Sequence, residues 1–131
     1  MNKPALAIYI SGPISADPDF VKKFALAERL LRPYAGHGVV FNPAAHQDLP
    51  SEGKNGNELW ADYLCRDIAV LMEIHKEYIS RLFISLPGWT GSKGACLERR
   101  FAEELGFRFL DIRTLIPDWD RLLAEELGGK K

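Results

Sequence analysis

Four short apolar runs, each followed by a longer stretch of helical periodicity, constrain this chain more than any other feature. The first, Ala5-Leu6-Ala7-Ile8-Tyr9-Ile10, is nearly continuous and ends at Ser11-Gly12-Pro13, as a strand buried on both faces does before a tight loop. From Asp19 the residues Phe20, Phe24, Ala27, Leu30, Leu31 and Tyr34 recur at helical spacing, and Gly36 marks the end of that helix. Val39-Val40-Phe41 is the second strand, leading into Asn42-Pro43. A helix is expected from Glu58 to about Tyr78, a third strand at Leu82 to Leu86, and a helix from Lys93 to Leu105 stopped by Gly106. Phe107 to Ile112 then forms a fourth strand and Ile116 to Leu127 a closing amphipathic helix.

Strand and helix in alternation imply right-handed βαβ units. The expected architecture is α/β, a flavodoxin-like or Rossmann-like three-layer sandwich around a mainly parallel sheet of order 2-1-3-4. A length of 131 residues fits one domain spanning 1–131. In such a sheet the winding reverses between strands one and three, and ligands bind beyond the carboxyl ends of the strands at that point. Two loops therefore matter most, Ser11-Gly12-Pro13-Ile14-Ser15 and the run from Leu86 to Gly94. The connection between Ala44 and Asn57, rich in Pro, Ser, Gly and Asn, reads either as a variable surface loop or as a lid.

Charge excludes one class of partner. Lys and Arg number 17 against 18 Asp and Glu, so no global field would hold polymeric nucleic acid, and any phosphate must be bound locally. No stretch approaches the roughly 20 apolar residues of a membrane span. Met1-Asn2-Lys3-Pro4 has none of the parts of a secretory signal, so a cytoplasmic location is expected. Cys65 and Cys96 show no CxxC spacing, and His37, His46 and His75 are scattered; no metal or other cofactor is expected.

Among residues able to do chemistry, Glu98 stands out. Positions 98, 101, 102 and 105 form one helical stripe whose other members are Phe101, Ala102 and Leu105, which aims a carboxylate at the core side. An inward glutamate beside a ligand crevice is a site candidate, because burying an ionised carboxylate is costly unless it is paired or functional. The same pattern also fits a glutamate at the stripe's edge that satisfies backbone donors or an arginine. Arg99 with Glu103 and Arg100 with Glu104 read as solvent-facing pairs. Ser92, Lys93 and Gly94 precede the helix and would offer backbone N–H groups, a hydroxyl and an ammonium to an anion, though most such turns only connect a strand to a helix. Asp67 lies at the border of the long helix's apolar stripe, with Asp62 as the rival acid. Trp60 and Trp119 read as core or interface aromatics, and Trp89 in the crevice loop as a residue that could stack on a base.

The pattern of Ile8-Tyr9-Ile10-Ser11-Gly12-Pro13, Phe41-Asn42-Pro43-Ala44, Arg66-Asp67-Ile68-Ala69-Val70-Leu71 and Leu86 through Glu98 resembles the nucleoside 2-deoxyribosyltransferase superfamily, over roughly residues 5 to 112. That superfamily includes deoxynucleoside monophosphate N-glycosidases and short bacterial and phage members. The resemblance implies that Glu98 is the nucleophile forming a covalent glycosyl-enzyme intermediate, and that Asp67 contacts the departing base and helps protonate it. It implies that Tyr9, Ser11, Gly12 and Pro13 line the sugar or base side, with Trp89, Ser92, Lys93 and Gly94 completing a substrate site. Serine at 92, where nucleoside-specific transferases tend to have aspartate, leans towards a nucleoside 5′-monophosphate, since Ser92 and Gly94 can donate hydrogen bonds to phosphate. The expected function is hydrolysis of the base–sugar bond. The alternatives are transfer of the sugar between bases and a catalytically silent nucleotide-binding domain. A homodimer or larger homo-oligomer is implied by resemblance alone.

Overall fold

The computed structural model describes residues 5–14, 17–46, 53 and 55–128. Its sheet has four parallel strands, β1 (Leu6–Ser11), β2 (Val39–Phe41), β3 (Ser80–Ser85) and β4 (Arg108–Asp111), in the order β2-β1-β3-β4. The strands alternate with α1 (Phe20–Ala35), α2 (Gly56–Glu77) and α3 (Lys93–Glu104), and α4 (Ile112–Leu115) and α5 (Trp119–Glu126) close the chain. This is the expected α/β, flavodoxin-like arrangement. Among the described residues no helix is long and apolar enough to cross a membrane.

The period of two along a strand divides the core. On β1, Ile8 and Ile10 pack on one side of the sheet with Phe24, Ala27 and Leu31 of α1 and Trp119 of α5. Ala7 and Tyr9 pack on the other with Leu71 and Ile74 of α2 and Ala102 of α3. Because β1 is covered on both faces and flanked by β2 and β3, it has to be apolar throughout, which explains the unbroken run in the sequence. The register sets Ser11 beside Ser85 and Ser85 beside Asp111, so the polar residues gather at the carboxyl end of the sheet.

Among the boundaries that differ from the sequence reading, two have a clear local cause. Helix α2 starts at Gly56, ahead of Glu58, because Asn55 and Glu58 form a reciprocal capping box: Glu58 N–H donates to Asn55 Oδ1 at 2.8 Å and Asn55 N–H to Glu58 Oε1 at 3.0 Å. The expected closing helix from Ile116 to Leu127 is instead two, α4 and α5. Pro117 disfavours a helical conformation at Ile116, whose φ and ψ are −123° and 82°. Part of the connection considered as a lid lies outside the described residues, as does Ser15; Pro43–His46 forms a 3-10 turn.

Candidate functional site

The site sits where the winding of the sheet reverses, on the face covered by α2 and α3. A cavity of about 320 Å³ opens there, lined by Gly12 and Ile14 after β1, by Phe20, by Leu59, Trp60, Tyr63, Leu64 and Asp67 of α2, and by Ser92, Gly94, Ala95 and Glu98 around the start of α3.

Helix α3 places Glu98. Ser92 caps the helix, its Oγ accepting from the Ala95 N–H at 3.2 Å, and Ala95, Glu98 and Ala102 form the buried line. Phe101, expected on that inward stripe, is 46% exposed and faces outward; the line is set by the 95, 98, 102 spacing. Glu98 is 7% exposed and accepts a hydrogen bond from Ser11 Oγ at 2.7 Å. Burial pushes its carboxyl well above the usual range, and the charge of Asp67 adds to this; the Ser11 hydrogen bond works in the opposite direction.

Asp67 is 4% exposed and reaches the cavity from α2. Its Oδ1 accepts from Arg66 Nε at 3.1 Å and from Arg66 Nη2 at 2.9 Å. Arg66 Nη2 also donates to the Pro43 carbonyl at 3.1 Å. Asp67 and Glu98 thus form a buried carboxyl pair in which each group's charge bears on the other, the situation in which one proton is shared between two sites. Tyr9 lies beneath the pair, fully buried and stacked between Phe41 at 5.3 Å and Phe83 at 5.5 Å. Burial, then the charges of Glu98 and Asp67, hold its hydroxyl in the protonated form. The Tyr9 hydroxyl bears on Glu98 and favours its ionised form, as the Ser11 bond does; the Ser85 hydroxyl is buried with no hydrogen-bond partner among the described residues.

The other residues singled out in the sequence divide. Gly12, Ser92 and Gly94 line the cavity, and Gly12 is needed because a Cβ there would lie 2.8 Å from the Leu86 Cβ. Pro13 lines a separate depression of about 200 Å³ on the α1 and α5 side, with Leu86, Pro87 and Trp119. Trp89 is absent from the cavity wall; the Arg99 guanidinium covers its ring at 4.7 Å and contacts Phe109 at 4.4 Å. The aromatic wall is instead Trp60 and Tyr63, with the Lys93 ammonium 5.0 Å from the centre of the Trp60 ring. Trp60, Tyr63, Leu64 and Asp67 follow the 0, 3, 4, 7 spacing of one helical face, so the signal was in the sequence but read as core. Asp62, the rival acid, does not line the cavity among the described residues.

Chemically, the site combines two coupled carboxyls, an apolar and aromatic wall, and the amino terminus of a helix with a serine and a glycine. Such a terminus favours an anion through free N–H groups and the helix dipole. Residues 6–111 match the family described as a domain of unknown function, DUF4406, and the chain belongs to that family. No curated protein and no solved structure matches it.

Proposed function

We propose that this DUF4406 protein is an N-glycosidase that hydrolyses the base–sugar bond of a nucleoside 5′-monophosphate through a covalent intermediate on Glu98. The observation that carries the reading is the coupled Glu98 and Asp67 pair, two buried carboxyls from different helices on one cavity of about 320 Å³. Paired carboxyls of unequal environment are what glycoside cleavage with retention uses, one as nucleophile and one as acid. The nucleoside 2-deoxyribosyltransferase resemblance assigns the same roles to the same two residues.

In the reactive form the shared proton is on Asp67 and Glu98 is ionised. The Ser11 hydrogen bond favours that form at Glu98, and positive charge developing at the sugar's anomeric carbon favours it further. A Glu98 oxygen bonds to the anomeric carbon as the bond to the base nitrogen breaks, and the base takes its proton from Asp67. Water then attacks the same carbon and gives its proton to the Asp67 carboxylate; the ester bond breaks and Glu98 is released. The products are free base and sugar 5-phosphate. Trp60 and Tyr63 offer the base an aromatic wall, and Ser92 and the first N–H groups of α3 suit the phosphate.

Incubation with a panel of ribo- and deoxyribonucleoside 5′-monophosphates is expected to release base, with a sugar adduct on Glu98 detectable by mass spectrometry. Absence of base from every substrate, with no adduct, overturns the reading. Adding a second base separates hydrolysis from transfer, since only transfer yields a mixed nucleotide.

A further inference from the structure

We propose that Arg66, which neither composition nor periodicity marks as functional, is the positioning residue that clamps Asp67 and sets where the shared proton rests; the inference builds on the glycosidase reading of the site. Its geometry is that of a brace. Two guanidinium nitrogens fall on the single oxygen Oδ1 of Asp67 at 3.1 and 2.9 Å, and Nη2 also reaches the Pro43 carbonyl at 3.1 Å. The same guanidinium lies 5.2 Å from the centre of the Tyr63 ring, one of the cavity's aromatic walls. One side chain therefore ties the acid to its own helix, to the turn after β2 and to the cavity wall. Arg66 is itself largely enclosed, with 19% of its side chain exposed, so solvent screens it less than a surface cation.

Adjacent residues on a helix do not normally face each other, and an Arg-Asp contact at neighbouring positions requires the arginine to fold back along the helix surface. The Pro43 carbonyl and the Tyr63 ring supply the anchors that hold it in that path. Among the described residues, Arg66 from α2 and Tyr9 from β1 bear on the Asp67–Glu98 pair, together with the Ser11 hydroxyl. Among them Arg66 is the cation. Its charge favours ionised Asp67 and so leaves the proton on Glu98 at rest, whereas the Ser11 hydrogen bond favours ionised Glu98. The two biases oppose each other across the pair. That opposition keeps both proton placements accessible, so the proton can pass from Glu98, where it rests, to Asp67 in the reactive form.

Removing the cation raises the proton affinity of the pair, so both limbs of the pH–rate profile move to higher pH in Arg66→Gln. An opposite charge at this range shifts a carboxylate by about 1–3 pH units, and the limbs are expected to move within that span. Arg66→Lys keeps the charge without the planar fork; it is expected to leave the limbs in place and lower kcat by about 10- to 100-fold through misplacement of the acid. A uniform loss at every pH in Arg66→Gln with unmoved limbs would show a merely structural role, and full kcat in Arg66→Lys would show that the clamp is not needed. Carbon-13 NMR titration of the side-chain carboxyls in wild type, Arg66→Lys and Arg66→Gln reads the pair without turnover. Upward movement of the shared-proton titration in Arg66→Gln, absent in Arg66→Lys, supports the assignment even if wild type releases no base, in which case the glycosidase reading alone has failed. If Arg66→Gln does not fold, a wild-type-like pair titration and reduced kcat in Arg66→Lys support the clamp, and unchanged kcat overturns it.

Discussion

Replacing Glu98 by glutamine keeps the shape of the side chain and removes its ionisation. The amide oxygen can still accept from Ser11, and the amide nitrogen can donate towards Asp67 as the protonated acid does. In the unfolded chain a glutamate loses its proton near pH 4.3; in the fold, burial and then the Asp67 charge push Glu98 well above that. Native protein therefore holds a proton that the unfolded chain has released. The stabilising contribution is complete below the unfolded value and is lost as pH climbs through the folded one. Glutamine exchanges no proton, so the variant's advantage over wild type is near zero at pH 4 and grows to a plateau at alkaline pH. Burying an ionised carboxylate costs several kcal/mol after relaxation, and the Ser11 bond to a charged acceptor returns about 1.5–3 kcal/mol. A plateau of about 1–3 kcal/mol remains, which at roughly 4 °C per kcal/mol for a domain of this size is about 4–12 °C in Tm. Thermal unfolding of both proteins from pH 4 to pH 9 measures it, with Glu98→Gln expected to be inactive throughout. A variant no more stable than wild type at pH 9, or a gain already complete at pH 4, would refute the claim that a buried, charge-opposed carboxyl sits at this position.

Trp60→Ala is expected to raise KM for a nucleotide by about 5- to 150-fold, the loss of 1–3 kcal/mol of stacking. Trp89→Ala should leave KM unchanged and lower Tm slightly, since its ring meets Arg99 and not the cavity. Ser92→Asp preserves a good helix cap but sets a carboxylate at the cavity; steady-state kinetics should show activity on monophosphates falling at least about 10-fold relative to the matching nucleosides, about 1.4 kcal/mol of discrimination. In urea unfolding, Gly38→Ala should cost about 3 kcal/mol or more, because a Cβ there would lie 1.8 Å from the Leu6 carbonyl oxygen. Gly56→Ala, with open space around it at the first helical position, should be neutral or stabilising by up to about 1 kcal/mol.

The strand order and the switch-point loops were readable because both central strands are covered on two faces, which leaves an unmistakable apolar signature. Glu98 was readable as a candidate because burying an ionised carboxylate is costly unless it is paired or functional, although the same pattern fits a structural glutamate at the edge of the stripe. The line itself was misplaced by one member, since Phe101 satisfies the spacing yet faces outward at 46% exposure. Sequence period alone does not say where a helix face stops being covered. Trp60 and Arg66 were missed for different reasons. A tryptophan that walls a cavity has the same periodicity as one that fills a core, and Arg66 acts through an anchor at Pro43, 23 positions away, that no local pattern encodes. Trp89 illustrates the converse, a residue in the correct loop whose ring is claimed by Arg99 from the following helix.

The face of β1 that carries Ala7, Tyr9 and Ser11 joins the packed core to the carboxyl pair. Along that one row the side chains pass from methyl to phenol to hydroxyl, and beside them β3 passes from Phe83 to Ser85. The apolar members hold α2 and α3 against the sheet, and the last member donates to Glu98. The carboxyl pair is therefore not attached to a finished core; it is the polar end of the same packing row, supported from below by the Tyr9 phenol, whose hydroxyl bears on Glu98, and by Ser85, whose hydroxyl has no hydrogen-bond partner among the described residues. A buried unpaired hydroxyl costs about 1–3 kcal/mol, a cost that packing alone would remove by substituting Ala for Ser85. Ser85→Ala is expected to gain stability in thermal unfolding, whereas Tyr9→Phe, which removes a hydroxyl that favours ionised Glu98, is expected to slow base release; unchanged base release in Tyr9→Phe would refute a role for that hydroxyl at the carboxyl pair.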